Sequence, residues 1–224
     1  MDSGPIQWIG RALRKAGEGI LRRSGLHGTW IDVGAHHGET TIGYARHNAD
    51  LTIYVIEPNL RAACRMMGHA PNVIVIPVAI AEKDGCAEFH INSFEESSSL
   101  LPINEDALQT WVGVEKLKVE SVVTVPTVRL DTFMDLLGIR EIDFLKIDTQ
   151  GTDLAVLRSA GSRLRDIEKI TLEVEVAPVR FYSGAPSKDE VLRFLDEAGF
   201  TLTEVEGQTH GQEENLTFVR KQSP

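Results

Sequence analysis

The stretch that decides the fold is Thr29–Thr41, which reads TWIDVGAHHGETT. It begins as an apolar, β-branched run, passes through Gly34 and Gly38, and leads into a helix-like segment at Glu39–His47. A strand that enters a helix through a glycine turn places backbone N–H groups at the positive end of the helix, where nucleotide-like ligands bind. The sequence therefore predicts a ligand-binding turn. Its predicted contact residues are Asp32, Gly34, Ala35, His36, Gly38 and Thr41.

A second apolar run, Thr52–Glu57, ends in an acid that Pro58 follows. Glu57 lies 19 residues beyond Gly38, and an acid about 20 residues after such a turn holds a ribose diol in nucleotide-binding α/β folds. The two glycines of the turn stand four apart, which does not match the Gly-x-Gly-x-x-Gly spacing that a pyrophosphate needs. The pattern favours S-adenosylmethionine over a dinucleotide. The predicted cofactor set also includes Glu57, Pro58, Ala79 and Asp148.

Strand-like and helix-like segments alternate along the rest of the chain. The predicted strands are Thr29–Val33, Thr52–Glu57, Val73–Ile80, Asp143–Asp148 and Lys169–Val176, and the predicted helices are Glu39–His47, Asn59–Gly68, Leu130–Leu137, Thr152–Ala160 and Ser187–Ala198. This alternation predicts an α/β fold with a doubly wound, mostly parallel sheet and helices on both faces. Two strand-like runs in the tail, around 201–206 and 215–220, predict a closing antiparallel hairpin.

The domain prediction is a helical segment at 1–28 and a single domain at 29–224, with an insertion at about 86–128 that contains a helix-like stretch around 104–118. Within the insertion, the loop at Glu95–Ser99 is either a surface loop or a lid. The basic segment at 5–24 is interpreted as a helix that caps the domain or joins two copies into a homodimer; a membrane-surface or anion-binding role is the alternative.

Composition excludes several classes of protein. Of 224 residues, 33 are acidic and 23 are basic, which gives a net charge of −10. Because proteins bind duplex nucleic acid through surplus Lys and Arg, we predict that nucleic acid is not a partner. The longest apolar run has nine residues, too few for a membrane span of about 20. The first 25 residues lack the apolar core of a secretory signal. With only Cys64 and Cys86, both expected to be buried thiols, we predict a cytoplasmic protein.

Five motifs follow in order along the chain: DVGAHHG at 32–38, IEPN at 56–59, RLD at 129–131, KIDTQG at 146–151 and VL at 156–157. Together they resemble the FkbM family of S-adenosylmethionine-dependent methyltransferases, over about residues 29–200. The resemblance implies a class I methyltransferase fold and O-methylation of a small hydroxylated molecule, such as a sugar or a secondary metabolite. His36 stands where the family commonly has Asn, and Gln150 where it commonly has Glu.

The predicted catalytic residues are Asp148, His37 and Glu173. A hydroxyl acceptor must lose its proton to a base or be polarised by a metal. Lys146 and Asp148 alternate on one face of a predicted strand, and Thr171, Glu173 and Glu175 do so on the next strand. Capping the following helix is the alternative role for Asp148. The alternative for Glu173 and Glu175 is a salt bridge with Lys146 or a position at the solvated edge of the sheet.

The sequence leaves the roles of several residues open. His37 could act as a base or only bond to its own turn. Phe181 and Tyr182 could line an acceptor pocket or belong to the core. Asp148 with Glu173 or Glu175 could ligate Mg²⁺, but we predict no metal site. The competing functions are a nicotinamide-dependent oxidoreductase and a non-catalytic module that binds S-adenosylmethionine on the same fold.

Overall fold

The computed structural model describes residues 25–39, 41–114 and 116–221. Its centre is a seven-stranded sheet in the order β3-β2-β1-β7-β8-β10-β9. The strands of this sheet are β1 (Gly28–Val33), β2 (Leu51–Ile56), β3 (Val73–Ile76), β7 (Phe144–Ile147), β8 (Lys169–Glu175), β9 (Phe200–Gln208) and β10 (Glu213–Arg220). A second sheet, in the order β4-β6-β5, contains β4 (Ala79–Ile80), β5 (Gly85–Asn92) and β6 (Val119–Val128).

The first five strands of the large sheet are parallel, and β10 runs antiparallel to both β8 and β9. The expected mostly parallel sheet with a closing antiparallel hairpin is therefore confirmed. β1 pairs with β2 on one side and with β7 on the other, so the chain reverses its winding direction between β1 and β7. In open α/β sheets, ligands bind beyond the carboxyl ends of the strands at such a reversal.

The helices cover both faces of the sheet. They are α1 (Ile42–His47), α2 (Leu60–Met66), α3 (Ala107–Thr110), α4 (Leu130–Leu137), α5 (Asp153–Ser159) and α6 (Lys188–Glu197). One buried cluster joins β1, β7 and β8 to α4, α5 and α6, and a second joins β2 to α1 and α2. Alternate residues of a strand face opposite layers, which is why Ile56 lies in the first cluster and Val55 in the second.

Pro77 breaks the segment that we expected to be one strand at Val73–Ile80. β3 ends at Ile76, and the chain resumes pairing as β4, which pairs with β6 in the second sheet. Proline has no N–H to donate to the neighbouring β2, and the N–H of Val78 turns back to Ile76 O, so the chain leaves the large sheet here. The prediction of a single strand is wrong, and the break brings the second sheet alongside the carboxyl end of β2.

Other sequence predictions also change. Among the described residues of the helix-like stretch around 104–118, only the four-residue α3 is helical, and α1 begins at Ile42 instead of Glu39. Cys64 and Cys86 are exposed, so the prediction of buried thiols is wrong. The predicted N-terminal helix at 5–24 lies outside the described residues, and Gly28, the last residue of the predicted segment at 1–28, already belongs to β1. Across the described part of the chain, no helix has the length and apolar character needed to cross a bilayer.

Candidate active site

Two adjoining cavities lie at the carboxyl ends of β1, β2, β7 and β8. The smaller cavity, of about 500 Å³, is bordered by the ends of β1 and β2, by β4 and by the loop at 95–100. The larger cavity, of about 880 Å³, extends from the turn after β1 to Trp111 and Tyr182. Five residues line both cavities: Gly34, His36, Glu96, Asp148 and Gln150. The two spaces therefore meet at one wall.

The glycine turn shapes this wall through its backbone. Gly34 has φ +75°, and a Cβ there would lie 1.9 Å from the carbonyl oxygen of Asp148, so only glycine allows this approach. The N–H groups of Gly34 and Ala35 donate to Ile56 O, and that of Gly38 donates to Ala35 O. The first two donors connect the turn to the end of β2 and the third closes the turn on itself, so the expectation that these N–H groups face a ligand is wrong at all three positions.

Glu57 lies directly after β2 and is 6% exposed. Its two carboxylate oxygens accept hydrogen bonds from the N–H groups of His36 (2.8 Å) and Asn59 (2.7 Å). Burial raises the pKa of Glu57 to about 7, although these two bonds act in the opposite direction. Each oxygen keeps a second lone pair, and Glu57 lines the smaller cavity together with Pro58. The carboxylate can therefore accept from a diol in this cavity.

Asp32, Thr41 and Lys146 form a buried network beneath the turn. Thr41 Oγ1 donates to Asp32 Oδ2 at 2.7 Å, and Lys146 Nζ lies 3.2 Å from Asp32 Oδ1 and 3.4 Å from Asp148 Oδ2. Asp32 and Lys146 are register partners on neighbouring strands. Burial disfavours a charged Lys146, but the Asp32 and Asp148 carboxylates outweigh burial and raise its pKa above the usual value. Lys146 is therefore a fixed cation that orients Asp148.

Asp148 is also held from the other side by Gln150. Gln150 Nε2 donates to Asp148 Oδ1 at 2.8 Å and to Glu173 Oε2 at 3.1 Å. The Tyr182 hydroxyl lies 2.7 Å from Ser97 O and 2.9 Å from Gln150 Oε1, so its single proton is shared between two acceptors. Because Gln150 Oε1 accepts from the phenol, its amide nitrogen must face the carboxylates. The arrangement fixes Asp148 at the meeting point of the cavities.

Three glutamates follow on β8 and β10: Glu175 and Glu213 are buried, and Glu173 is partly buried. Burial, and then the neighbouring Glu213, raises the pKa of Glu173 well above its usual value, while burial raises that of Glu213 to about 7. Both line the larger cavity. Glu175 instead accepts from the N–H groups of Phe181 (2.7 Å) and Tyr182 (3.2 Å) and so anchors the loop after β8. It makes no ion pair with Lys146 among the described residues.

The two adjacent histidines have different surroundings. His36 has φ +49° and lines both cavities. Burial lowers the pKa of His36, but Glu39, followed by Glu96 and Glu57, outweighs burial and raises it. His37 stacks on His36 with ring centroids 3.7 Å apart, and its Nε2 lies 2.9 Å from Arg65 Nη1. Burial and His36 lower the pKa of His37. His37 therefore faces Arg65, and neither cavity includes it.

The structure thus brings together only part of the predicted set. Predicted residues that line the smaller cavity are Gly34, His36, Glu57, Pro58, Ala79 and Asp148. Those that line the larger cavity are Gly34, Ala35, His36, Asp148 and Glu173. Asp32, Gly38, Thr41 and His37 line neither cavity. Sequence reasoning missed Glu213 and Trp111, because nothing local marks a residue in a tail hairpin or in an insertion as facing this crevice.

Comparisons with known proteins agree with this architecture. Residues 32–202 match the family described as "Methyltransferase FkbM domain". The chain is 25% identical over 145 residues to 2-O-methyltransferase NoeI of Sinorhizobium fredii, a match that covers 60% of this chain and 58% of NoeI. The chain thus spans less than two thirds of that relative.

Two solved structures share the fold. Magnesium protoporphyrin IX methyltransferase of Synechocystis PCC 6803, solved with bound S-adenosylhomocysteine, aligns with TM-score 0.55 and 10% identity over 99% of this chain and 89% of its own. Fibrillarin of Aeropyrum pernix, solved with S-adenosylmethionine, aligns with TM-score 0.52 and 13% identity over 94% of this chain and 74% of its own. The fold is that of S-adenosylmethionine-dependent methyltransferases, and the chain belongs to the FkbM methyltransferase family.

Proposed function

We propose that the chain transfers the methyl group of S-adenosylmethionine to a hydroxyl of a small molecule. The adenosyl part would occupy the smaller cavity and the acceptor the larger one. The observation that carries this proposal is that the two cavities meet at one wall, which contains Asp148. Methyl transfer needs two ligands held in line at close range, and two adjoining cavities supply that arrangement.

The smaller cavity suits an adenosyl group by its lining. Glu57 offers two acceptor oxygens for the ribose hydroxyls. The apolar lining residues are Val33, Ile56, Val78, Ala79, Ile80, Phe89 and Leu100, and such side chains favour contact with a flat, weakly polar base.

The larger cavity suits a neutral or cationic acceptor. Trp111, Phe181 and Tyr182 supply aromatic surface, and Asp148, Glu173 and Glu213 supply carboxyl groups. Carboxyl groups form hydrogen bonds with hydroxyls in either protonation state, and in their charged form they repel anions. In the proposed reaction, the acceptor hydroxyl donates to Asp148 and loses its proton to it. The S–CH₃ bond breaks as the O–CH₃ bond forms, and S-adenosylhomocysteine leaves.

The relation to a 2-O-methyltransferase supports oxygen as the acceptor atom, although the match covers only 58% of that relative. We retain Asp148 and Glu173 as acceptor-site residues. We do not retain His37 as the base, because Arg65 lies 2.9 Å from its Nε2. Within the domain at 29–224, the second sheet and the loop at 95–100 would form the cover of the site.

Methyl transfer can be tested with the purified chain, S-adenosylmethionine labelled at the methyl group, and a panel of neutral sugars, amino sugars and phenols. We expect S-adenosylhomocysteine to raise the melting temperature, and labelled methyl to appear on an acceptor oxygen in the NMR spectrum of the product. Stabilisation by NAD instead would support the oxidoreductase alternative. Binding without transfer to any acceptor would support the non-catalytic module.

A further inference from the structure

A group of metal-ligating side chains lies where the two cavities meet. His36 Nδ1 lies 3.3 Å from Glu39 Oε1 and 3.7 Å from Glu96 Oε1. Donor atoms of the three residues all lie within 4.8 Å of one another. All three side chains line the larger cavity, and His36 and Glu96 also line the smaller one. The group is thus open to both ligands of the proposed reaction.

The spacing of these atoms suits a shared ion. Two ligand atoms that each lie about 2.1 Å from one metal are about 3 Å apart in adjacent coordination positions and about 4.2 Å apart in opposite ones. The distances of 3.3 Å and 3.7 Å fall inside this interval. The His36 side chain is 18% exposed, and its ring nitrogens lie 3.3 to 3.7 Å from carboxylate oxygens of Glu39, Glu95 and Glu96. Neither nitrogen makes a well-formed hydrogen bond within the described residues, so the imidazole, once it gives up its proton, can bind a metal beside these carboxylates.

A second group nearby, formed by His36, His37 and Glu95, is less suited to a metal. Arg65 Nη1 lies 2.9 Å from His37 Nε2 and 3.5 Å from Glu95 Oε2. A guanidinium is always charged, and it already neutralises Glu95 and occupies the nitrogen that would have to bind. The group formed by His36, Glu39 and Glu96 is therefore the one that can hold a cation beside the cavities.

We propose that His36, Glu39 and Glu96 bind a divalent cation, which coordinates the acceptor hydroxyl during methyl transfer. One nitrogen and two carboxylate oxygens suit Mn²⁺ or Zn²⁺ better than Mg²⁺, which prefers oxygen ligands and keeps its water. The bound ion lowers the pKa of the hydroxyl. The proton goes to Asp148, the S–CH₃ bond breaks, the O–CH₃ bond forms, and the ion keeps its oxidation state. The role in catalysis rests on the proposed function, but binding of the ion does not.

The test uses the full chain after treatment with a chelator, titrated with Mn²⁺ alone, with free Mn²⁺ followed by electron paramagnetic resonance. We expect one Mn²⁺ per chain with a dissociation constant below 100 μM, and at least tenfold weaker binding in His36→Asn and in Glu96→Gln. Asparagine tolerates the positive φ at position 36, so the first variant should fold; circular dichroism checks this. His27→Asn, at an exposed position, is the matched control and should bind as the wild type does.

Two results would overturn the inference: Mn²⁺ binding weaker than 1 mM in the wild type, or unchanged binding in both ligand variants. Binding of S-adenosylhomocysteine, measured by calorimetry on the metal-free chain, separates this inference from the proposed function. If that ligand binds and methyl transfer proceeds at full rate in excess chelator, the metal role is wrong and the methyltransferase function stands. If it does not bind, the proposed function itself fails.

Discussion

Gln150 Nε2 donates a hydrogen bond of 2.8 Å to Asp148 Oδ1, and the backbone of Gln150 itself has a φ of +56°. A non-glycine residue with positive φ is strained and is kept only where its surroundings fix it. Ser99 Oγ fixes the backbone by donating to Gln150 O at 2.7 Å, and the Tyr182 phenol fixes the side chain. Two distant segments, those of Ser99 and Tyr182, thus hold Gln150, and through it they position Asp148, which lines both cavities.

Replacing Tyr182 with Phe should slow turnover without weakening cofactor binding. Tyr182 is 1% exposed, and its hydroxyl donates to Ser97 O and Gln150 Oε1. The variant therefore keeps the ring packing but loses the hydrogen bond that holds the Gln150 side-chain amide. We expect kcat to fall about tenfold, equivalent to about 1.4 kcal/mol, while calorimetry gives an unchanged Kd for S-adenosylhomocysteine. Tyr54→Phe, in the core beside Phe133, is the control and should leave both quantities unchanged. Unaltered kcat in Tyr182→Phe would show that Gln150 needs no such anchor.

Glu57→Gln should weaken cofactor binding. The carboxylate accepts from two backbone N–H groups, and an amide at this position would turn its own N–H₂ group toward one of them. Hydrogen bonds to a charged group contribute about 1.5–3 kcal/mol each, so the Kd for S-adenosylhomocysteine at pH 8 should rise by about 10- to 100-fold. Calorimetry measures this change, with the exposed Glu82→Gln as control. An equal Kd in the two variants would mean that the ribose does not contact Glu57.

Comparing Gly34→Ala with Gly68→Ala separates backbone strain from steric clash. Both glycines have positive φ, +75° and +78°, but only Gly34 has a backbone carbonyl in the space that a Cβ would take. We expect Gly68→Ala to reduce the free energy of unfolding by about 1 kcal/mol. Gly34→Ala should reduce it by more than about 3 kcal/mol and abolish cofactor binding. Urea denaturation measures both values; equal losses would contradict the close approach of the Asp148 carbonyl.

Asp153→Asn should change how stability depends on pH. Asp153 is 2% exposed, Thr149 Oγ1 donates to its Oδ2 at 3.1 Å, and its Oδ1 has no hydrogen-bond partner. Burial, reinforced by the Asp148 charge, raises the pKa of Asp153 from 3.8 to about 7. The folded protein therefore holds a proton that the unfolded chain has lost between these pH values. Stability from this group is fully present below about pH 4 and is lost as pH rises through 7.

Asparagine stays neutral, so the stability of the variant relative to the wild type should rise by on the order of 4 kcal/mol as pH increases from 4 to 7, with no further change above 7. Urea denaturation at several pH values measures this difference. The exposed Asp50→Asn is the control and should show a constant difference. The same constant difference in Asp153→Asn would mean that Asp153 ionises normally in the fold.

Much of the fold could be predicted because its signals are local. The apolar runs that form β1, β2, β7 and β8 lie within a residue or two of their predicted positions, since strands buried on both faces need continuous apolar sequence. The break at Pro77 carried a local signal as well, because proline has no N–H to donate to a neighbouring strand. The pairing of β4 with β6, in contrast, joins segments more than 40 residues apart, and no periodicity encodes it.

The candidate site was only partly predictable. The glycine turn and Glu57 stand at a spacing that chain geometry imposes, so the sequence located them. Asp32 was predicted to touch a ligand, yet it lies under the turn because Lys146, 114 residues away, neutralises it there. His37 was predicted to face the crevice, and Arg65 instead draws it outward.

By itself, the sequence determined the order of strands and helices, the glycine turn and the acid that follows β2, because each depends on residues that are neighbours along the chain. Only the tertiary structure decided which carboxyl groups face the cavities. Glu96, Asp148 and Glu213 come from three separate segments, and their meeting depends on how those segments pack. Burial and the charge of neighbouring groups then set which carboxyl groups hold protons, and both arise only once the chain has folded.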